Sequence, residues 1–221
     1  MIINIDPLCG IFIEEVAENG TMRKKHVNFE DIQEIFQKNI TINTGILPKD
    51  CVFFEQSDGK TVVILQKDPQ IYNIKYHKRG DSEVNTFKIP MPYCFFGLVI
   101  ADKKIQKSLL VCSKMPLLKM DCEIFQFPLG NVFTDTGEWK ICWGRTAMPN
   151  IPSPRFAAGI PNLFFSSPFN EDLTGNTFVG YSEGYDMNAF LEDLNGAEFF
   201  PIEKLKPLGT FRDLLLKLRI E

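Results

Sequence analysis

Of the 221 residues, 44% are apolar, 24% are charged and 20 are Phe, the make-up of a folded protein with a sizeable core, which excludes disorder as the main state. A net charge of −4 gives no basic footprint for nucleic-acid phosphates, and no apolar run approaches the roughly 20 residues that span a bilayer. We therefore expect no nucleic-acid partner and no membrane partner.

Met1-Ile2-Ile3-Asn4-Ile5-Asp6 has no basic region, continuous apolar stretch or small-residue cleavage site of the signal-peptide kind, so the expectation is a cytoplasmic protein. The six cysteines, at 9, 51, 94, 112, 122 and 142, stand singly with no C-x-x-C pair, which points to reduced thiols rather than a disulfide framework. His26 and His77 are the only histidines, and neither has a metal-type spacing, so no metal is expected.

In chain order, Ile11-Phe12-Ile13 and Val16 lead into Asn19-Gly20, a strong two-residue turn signal, and predict an N-terminal hairpin. Asn28 then caps a short helix whose buried stripe is Ile32, Ile35 and Phe36, ending near Asn39. Strands follow at 52–54, 61–65 and 71–76, separated by Ser57-Asp58-Gly59 and Asp68-Pro69, a β-meander. A polar break over 78–85 precedes a strand at 86–89, Pro90 and Pro92 punctuate the entry to another at 95–100, and Asp102-Lys103-Lys104 makes a charged turn. The apolar run at 108–112 reads as a strand buried on both faces.

Residues 128–185, rich in Gly, Pro, Asn and Ser, read as long ordered loops, and such loops often carry function. Asp186 caps a helix with Met187, Phe190, Leu191 and Leu194 inward, stopped by Asn195-Gly196. Thr210 caps a last helix, with Asp213 at its third position and Phe211, Leu214, Leu215 and Leu218 on its apolar face. The expected architecture is one α+β domain over 1–221: a hairpin and helix over 1–42, an antiparallel β-meander with loops resembling an active site over 43–185, and flanking helices over 186–221.

No P-loop, dinucleotide fingerprint, G-x-S-x-G or H-E-x-x-H is present, so no cofactor is expected. The residues after 77 hold no histidine, which removes local support for a Ser-His or Cys-His protease. The informative stretch is 127–144, where Pro128, Asn131, Gly137 and Ile141-Cys142 surround a turn.

This stretch resembles the active-site flap of the ubiquitin-conjugating-enzyme superfamily, in which His-Pro-Asn, an aliphatic residue, a turn, Gly and Ile-Cys follow one another. The wider chain is similar to the bacterial branch called prokaryotic ubiquitin-conjugating-enzyme family D, whose members include PRTRC system protein B, encoded beside ThiF-type activating enzymes and ubiquitin-like proteins. The matching pieces are Leu47-Pro48, Val52-Phe53-Phe54, the strand 92–100, Asn131-Val132, Gly137, Ile141-Cys142-Trp143-Gly144 and Phe164-Phe165-Ser166-Ser167-Pro168-Phe169. The resemblance implies a ubiquitin-conjugating-enzyme-like fold with an added N-terminal hairpin. It also implies that Cys142 carries a ubiquitin-like protein as a thioester, received from a ThiF-type activating enzyme, with Asn131 in the place of the family asparagine. In this chain the histidine of His-Pro-Asn is missing, Leu129 and Gly130 stand between Pro128 and Asn131, and Asn170 stands where the bacterial branch tends to carry a histidine.

The residues taken by themselves leave alternatives open. Free cysteine is among the most buried residue types, so Cys142 also fits as a small core hydrophobe. Asn131 fits equally as a turn residue that satisfies its own backbone. Trp139 and Trp143 fit either a recognition surface or buried aromatic area. At the level of function, the competitor to a conjugating enzyme is the same fold acting as a catalytically inactive binding module for a ubiquitin-like protein or its activating enzyme. The oligomeric state is not written in the sequence.

Overall fold

The computed structural model describes residues 2–6, 10–16, 20–27, 46–57, 59–78, 83–133, 137–170, 172–173 and 186–219. They fall into two compact units, Met1–Gly45 and Ile46–Glu221.

The first unit holds an antiparallel sheet of β1 (Ile2–Asp6), β2 (Gly10–Val16) and β3 (Met22–Val27), with β2 in the centre. The expected hairpin is β2–β3, in register from Ile11 opposite Val27 to Val16 opposite Met22, and Gly20 supplies a left-handed backbone (φ +81°) in the connection. β1 was not expected from the sequence. Its Ile3 and Ile5 stand opposite Ile13 and Ile11 in the ladder. The helix expected after Asn28 lies outside the described residues.

The second unit is built on a six-stranded antiparallel sheet with spatial order β11-β10-β9-β8-β5-β4. Its strands are β4 (Cys51–Ser57), β5 (Lys60–Lys67), β8 (Tyr93–Ala101), β9 (Lys104–Ser113), β10 (Glu123–Gln126) and β11 (Pro207–Thr210). The remaining pair, β6 (Gln70–His77) and β7 (Val84–Met91), forms a ribbon of its own. Register shows how the ribbon relates to the sheet. Lys67 pairs with Cys94 and Gln70 pairs with Met91, so the two sides advance in step and β5–β6 and β7–β8 are the two arms of one long hairpin. The ladder breaks where Pro69 and Pro92, which lack an N–H, face each other, and the distal half bends out of the sheet. The meander expected from the sequence is therefore present with its longest hairpin bent.

β8 and β9 are buried on both faces, as the apolar run at 108–112 predicts, and alternate residues enter two cores. Phe96, Leu98, Leu110 and Cys112 face a core completed by the β6–β7 ribbon and two helices, α1 (Ile160–Ser166) and α2 (Met187–Leu194). Phe95, Val99, Leu109 and Val111 face the other, closed by α3 (Phe211–Arg219) through Phe211, Leu214, Leu215 and Leu218. Each fully buried Phe or Leu contributes about 1.5–3 kcal/mol relative to exposure.

The two C-terminal helices start as the sequence predicts. The Asp186 carboxylate accepts from the amides of Asn188 (2.9 Å) and Ala189 (3.2 Å), and Met187, Phe190, Leu191 and Leu194 turn inward. Thr210 donates its backbone N–H (2.7 Å) and its hydroxyl (2.9 Å) to Asp213. One expectation is corrected. The segment read as loop over 128–185 contains a 3₁₀ turn, Pro154–Gly159, running into α1. α1 has only seven residues, and its adjacent Phe164 and Phe165 do not display the 3.6-residue spacing that reveals a longer helix. Among the described residues, no helix is long and apolar enough to cross a membrane.

Candidate functional site

β10 pairs with β9 only at Phe125–Cys112 and Gln126–Val111, and then leaves it. The vacated edge is taken by residues 139–141: the Leu110 amide donates to the Trp139 carbonyl and the Ile141 amide to the Ser108 carbonyl, both at 2.9 Å. On the outer side of that segment Val132 bridges Ile141, the Phe133 amide donates to the Lys140 carbonyl (2.9 Å) and the Cys142 amide to the Asn131 carbonyl (2.7 Å). Val132 and Ile141 are buried in the helix-covered core. Because strand neighbours alternate in direction, Cys142 points away from that core. It stands half-buried on the wall of an open cleft of about 550 Å³.

Asn131 stands on the same wall, beside Trp143, Phe164 and Pro168. Its backbone takes φ +66°, the left-handed region that Asn tolerates, and its side-chain amide donates to the Pro168 carbonyl at 2.8 Å. Gly130 is required next to it: a Cβ there would lie 2.0 Å from the Asn170 carbonyl oxygen. The 168–170 segment is itself fixed from the far side. The Phe169 amide donates to the Lys75 carbonyl (2.7 Å), and the Phe169 carbonyl accepts from the His77 amide (2.8 Å). Gly130 thus lets the asparagine's loop lie directly against the 168–170 segment, which in turn lies along the β6 edge.

Trp143 forms one side of the cleft, with its indole N–H donated to the Ser108 hydroxyl (2.9 Å) and its ring edge-on to Phe164. Trp139, by contrast, is buried in the core under α3, with the Lys217 ammonium 4.6 Å from its ring centre. Trp139 is therefore buried aromatic area, and Trp143 is half-buried at the edge of the helix-covered core. A turn with Gly144 at φ +53°, closed by the Thr146 amide on the Trp143 carbonyl (2.8 Å), carries Arg145 and Thr146 to the cleft. Ser166 and Ser167 both donate to the Leu163 carbonyl and close the end of α1. Asn170 lines the cleft with its amide donated to Asp172 (2.8 Å).

Of the other cysteines, Cys94, Cys112 and Cys122 are buried, and burial pushes the Cys112 thiol well up. Cys122 lies against the Ser113 hydroxyl at 3.3 Å. Cys51 is half-buried, burial again raising its thiol, and Cys9 lies outside the described residues. His77 is exposed and is not among the cleft residues, and His26 belongs to the first unit, on β3. Arg145, Thr146 and Asp172 were not singled out in the sequence, where nothing in their spacing marks them. Among the described residues, no group of three or more His, Cys, Asp or Glu side chains is placed to hold a metal ion.

The fold and site are those of an α+β protein with a half-buried cysteine and an asparagine lining one open cleft. The particular family follows from comparison: the model of prokaryotic E2 family D matches residues 28–208, and the chain belongs to that family. It is an E2-like protein, of the ubiquitin-conjugating-enzyme kind, in the general sense that membership carries. No curated protein and no solved structure matches the chain.

Proposed function

We propose that this protein has the ubiquitin-conjugating-enzyme-like fold and carries a ubiquitin-like protein as a thioester on Cys142. In this reading a ThiF-type activating enzyme holds the C-terminal carbonyl of that partner as its own thioester. The Cys142 thiolate attacks the carbonyl, a new C–S bond forms, and the activating enzyme's thiolate leaves. An acceptor amine then attacks the same carbonyl, loses a proton, and releases the Cys142 thiolate. Asn131 steadies the wall from which the cysteine reacts, and its carboxamide supplies polarity beside the developing oxyanion. The observation that carries this reading is the placement of Cys142, half-buried and turned to an open cleft, while Cys94, Cys112 and Cys122 are sealed.

One observation favours a second reading, a catalytically inactive E2-like module that holds a ubiquitin-like protein or its activating enzyme. Among the described residues, those lining the cleft include no histidine, and Asn170, which cannot transfer a proton, stands downstream of the cysteine. The experiment that separates the two readings incubates the chain with a ThiF-type enzyme, its ubiquitin-like protein and ATP. The thioester reading predicts an adduct cleaved by reductant, lost in Cys142→Ala and made reductant-resistant as an ester in Cys142→Ser. Binding to either partner without an adduct would replace it with the module.

A further inference from the structure

Among the described residues lining the cleft, those that ionise are Cys142, Arg145 and Asp172. The Asp172 carboxylate has a partner, the Asn170 amide at 2.8 Å. Arg145 is exposed, and among the described residues its guanidinium makes no hydrogen bond or ion pair. The hydroxyl of Thr146, the next cleft residue, is likewise without a partner among them. The turn that carries both is fixed at its base. Trp143 is held by its indole bond to Ser108 and its ring contact with Phe164, and its carbonyl accepts the Thr146 amide at 2.8 Å.

A cation and a carboxylate that line one cleft without pairing with each other leave both charges to a ligand. A guanidinium presents parallel N–H donors that match a carboxylate, and a neighbouring hydroxyl adds a further donor. In the thioester reading the C-terminal carboxyl of the ubiquitin-like protein is used up in the C–S bond and brings no anion to Arg145. The carboxylate that meets Arg145 then belongs to the acceptor, whose amine is the end that suits Asp172.

We propose that the Arg145–Thr146 turn is a carboxylate-recognition element, which selects an acceptor lysine with an acidic neighbour in its peptide. The carboxylate site stands on the cleft alone, and its part in choosing the acceptor rests on the thioester reading.

The first test uses the chain by itself. Iodoacetate and iodoacetamide are close in shape and differ in charge, so the ratio of their alkylation rates at Cys142 reads the cation in the cleft. Arg145→Gln should lower that ratio about threefold and Arg145→Glu should lower it further, with smaller differences at high salt. Equal ratios in the three chains would overturn the proposal. The second test follows discharge of the loaded chain to peptides containing Glu-Lys-Glu or Gln-Lys-Gln. Wild type should prefer the acidic peptide about threefold or more, through a lower KM rather than a higher kcat, and Arg145→Glu should reverse the preference. Equal discharge to the two peptides by wild type would overturn the selection of acidic acceptors. If wild type forms no adduct, the thioester reading fails and acceptor selection fails with it, while the alkylation ratio still decides the carboxylate site.

Discussion

The backbone amide of Cys142 donates to the carbonyl of Asn131, and the Asn131 side chain carries the connection on to Pro168. The cysteine is thus held from behind by two segments that are distant in sequence. Asn131 does this at φ +66°, where a residue with a Cβ is strained and glycine is not. Asn131→Gly loses the side-chain bond alone, about 1 kcal/mol, whereas Asn131→Ala loses the bond and adds roughly 1 kcal/mol of backbone strain. Urea unfolding should rank wild type above Gly and Gly above Ala. Three equal midpoints would show that Asn131 braces nothing.

Two glycines offer a matched comparison. A Cβ on Gly130 meets a backbone oxygen, Asn170 O, at 2.0 Å, and one on Gly97 meets the tip of the Leu218 side chain at 2.7 Å. Backbone cannot swing aside, and a leucine tip can. Gly130→Ala should therefore lose the larger share of the roughly 1–3 kcal/mol typical of overpacking, and should also change the alkylation rate of Cys142. Gly97→Ala should leave that rate alone. The reverse order of stabilities would mean that the 130–131 and 168–170 segments do not fit as described.

The features that could be read from the sequence are those written in local rules. Asp186 with its apolar stripe, Thr210 with Asp213, and the strands flanking Ser57-Asp58-Gly59 are each specified by neighbours within a few residues. The pairing of Val132 with Ile141 and the docking of Trp139 on Leu110 were not legible, because they depend on β10 leaving the edge of β9. β11 was missed for the same reason. Four residues ending in Gly209-Thr210 show no alternation, and only their place beside β10 makes them a strand. At the site, Cys142 and Asn131 came from resemblance to a motif, while Arg145, Thr146 and Asp172 reach the cleft by turns whose geometry no short pattern encodes.

The start of α3 should respond to acid. Thr210, through its backbone N–H first and its hydroxyl second, holds the Asp213 carboxyl below the usual carboxylate range. A carboxyl with a lowered folded pKa stabilises above its unfolded value of about 3.9, and that contribution is lost as pH falls through the folded pKa. The Tm advantage of wild type over Asp213→Asn should be present at neutral pH and shrink below about pH 4. A constant difference down to strong acid would contradict the assignment.

Trp143 and Ser108 should prove coupled. The buried Ser108 hydroxyl accepts the indole N–H at 2.9 Å, and the Ser108 carbonyl accepts the Ile141 amide one residue from Cys142. Trp143→Phe and Ser108→Ala should each destabilise by about 1 kcal/mol, and the double variant by less than the sum, with a coupling of about 0.5–1.5 kcal/mol. Strict additivity in denaturant unfolding would show that the bond contributes nothing.

Everything proposed for the cleft requires the Cys142 thiol to face it. The direct measurement is site-resolved alkylation with iodoacetamide under native conditions, read by mass spectrometry against time. Cys142 should be modified well before Cys94, Cys112 and Cys122, whose exposures are 0%, 0% and 2%, and those three should react only when the protein unfolds. A Cys142 as resistant as Cys94 and Cys112 would place its sulfur in the core and contradict the thioester reading.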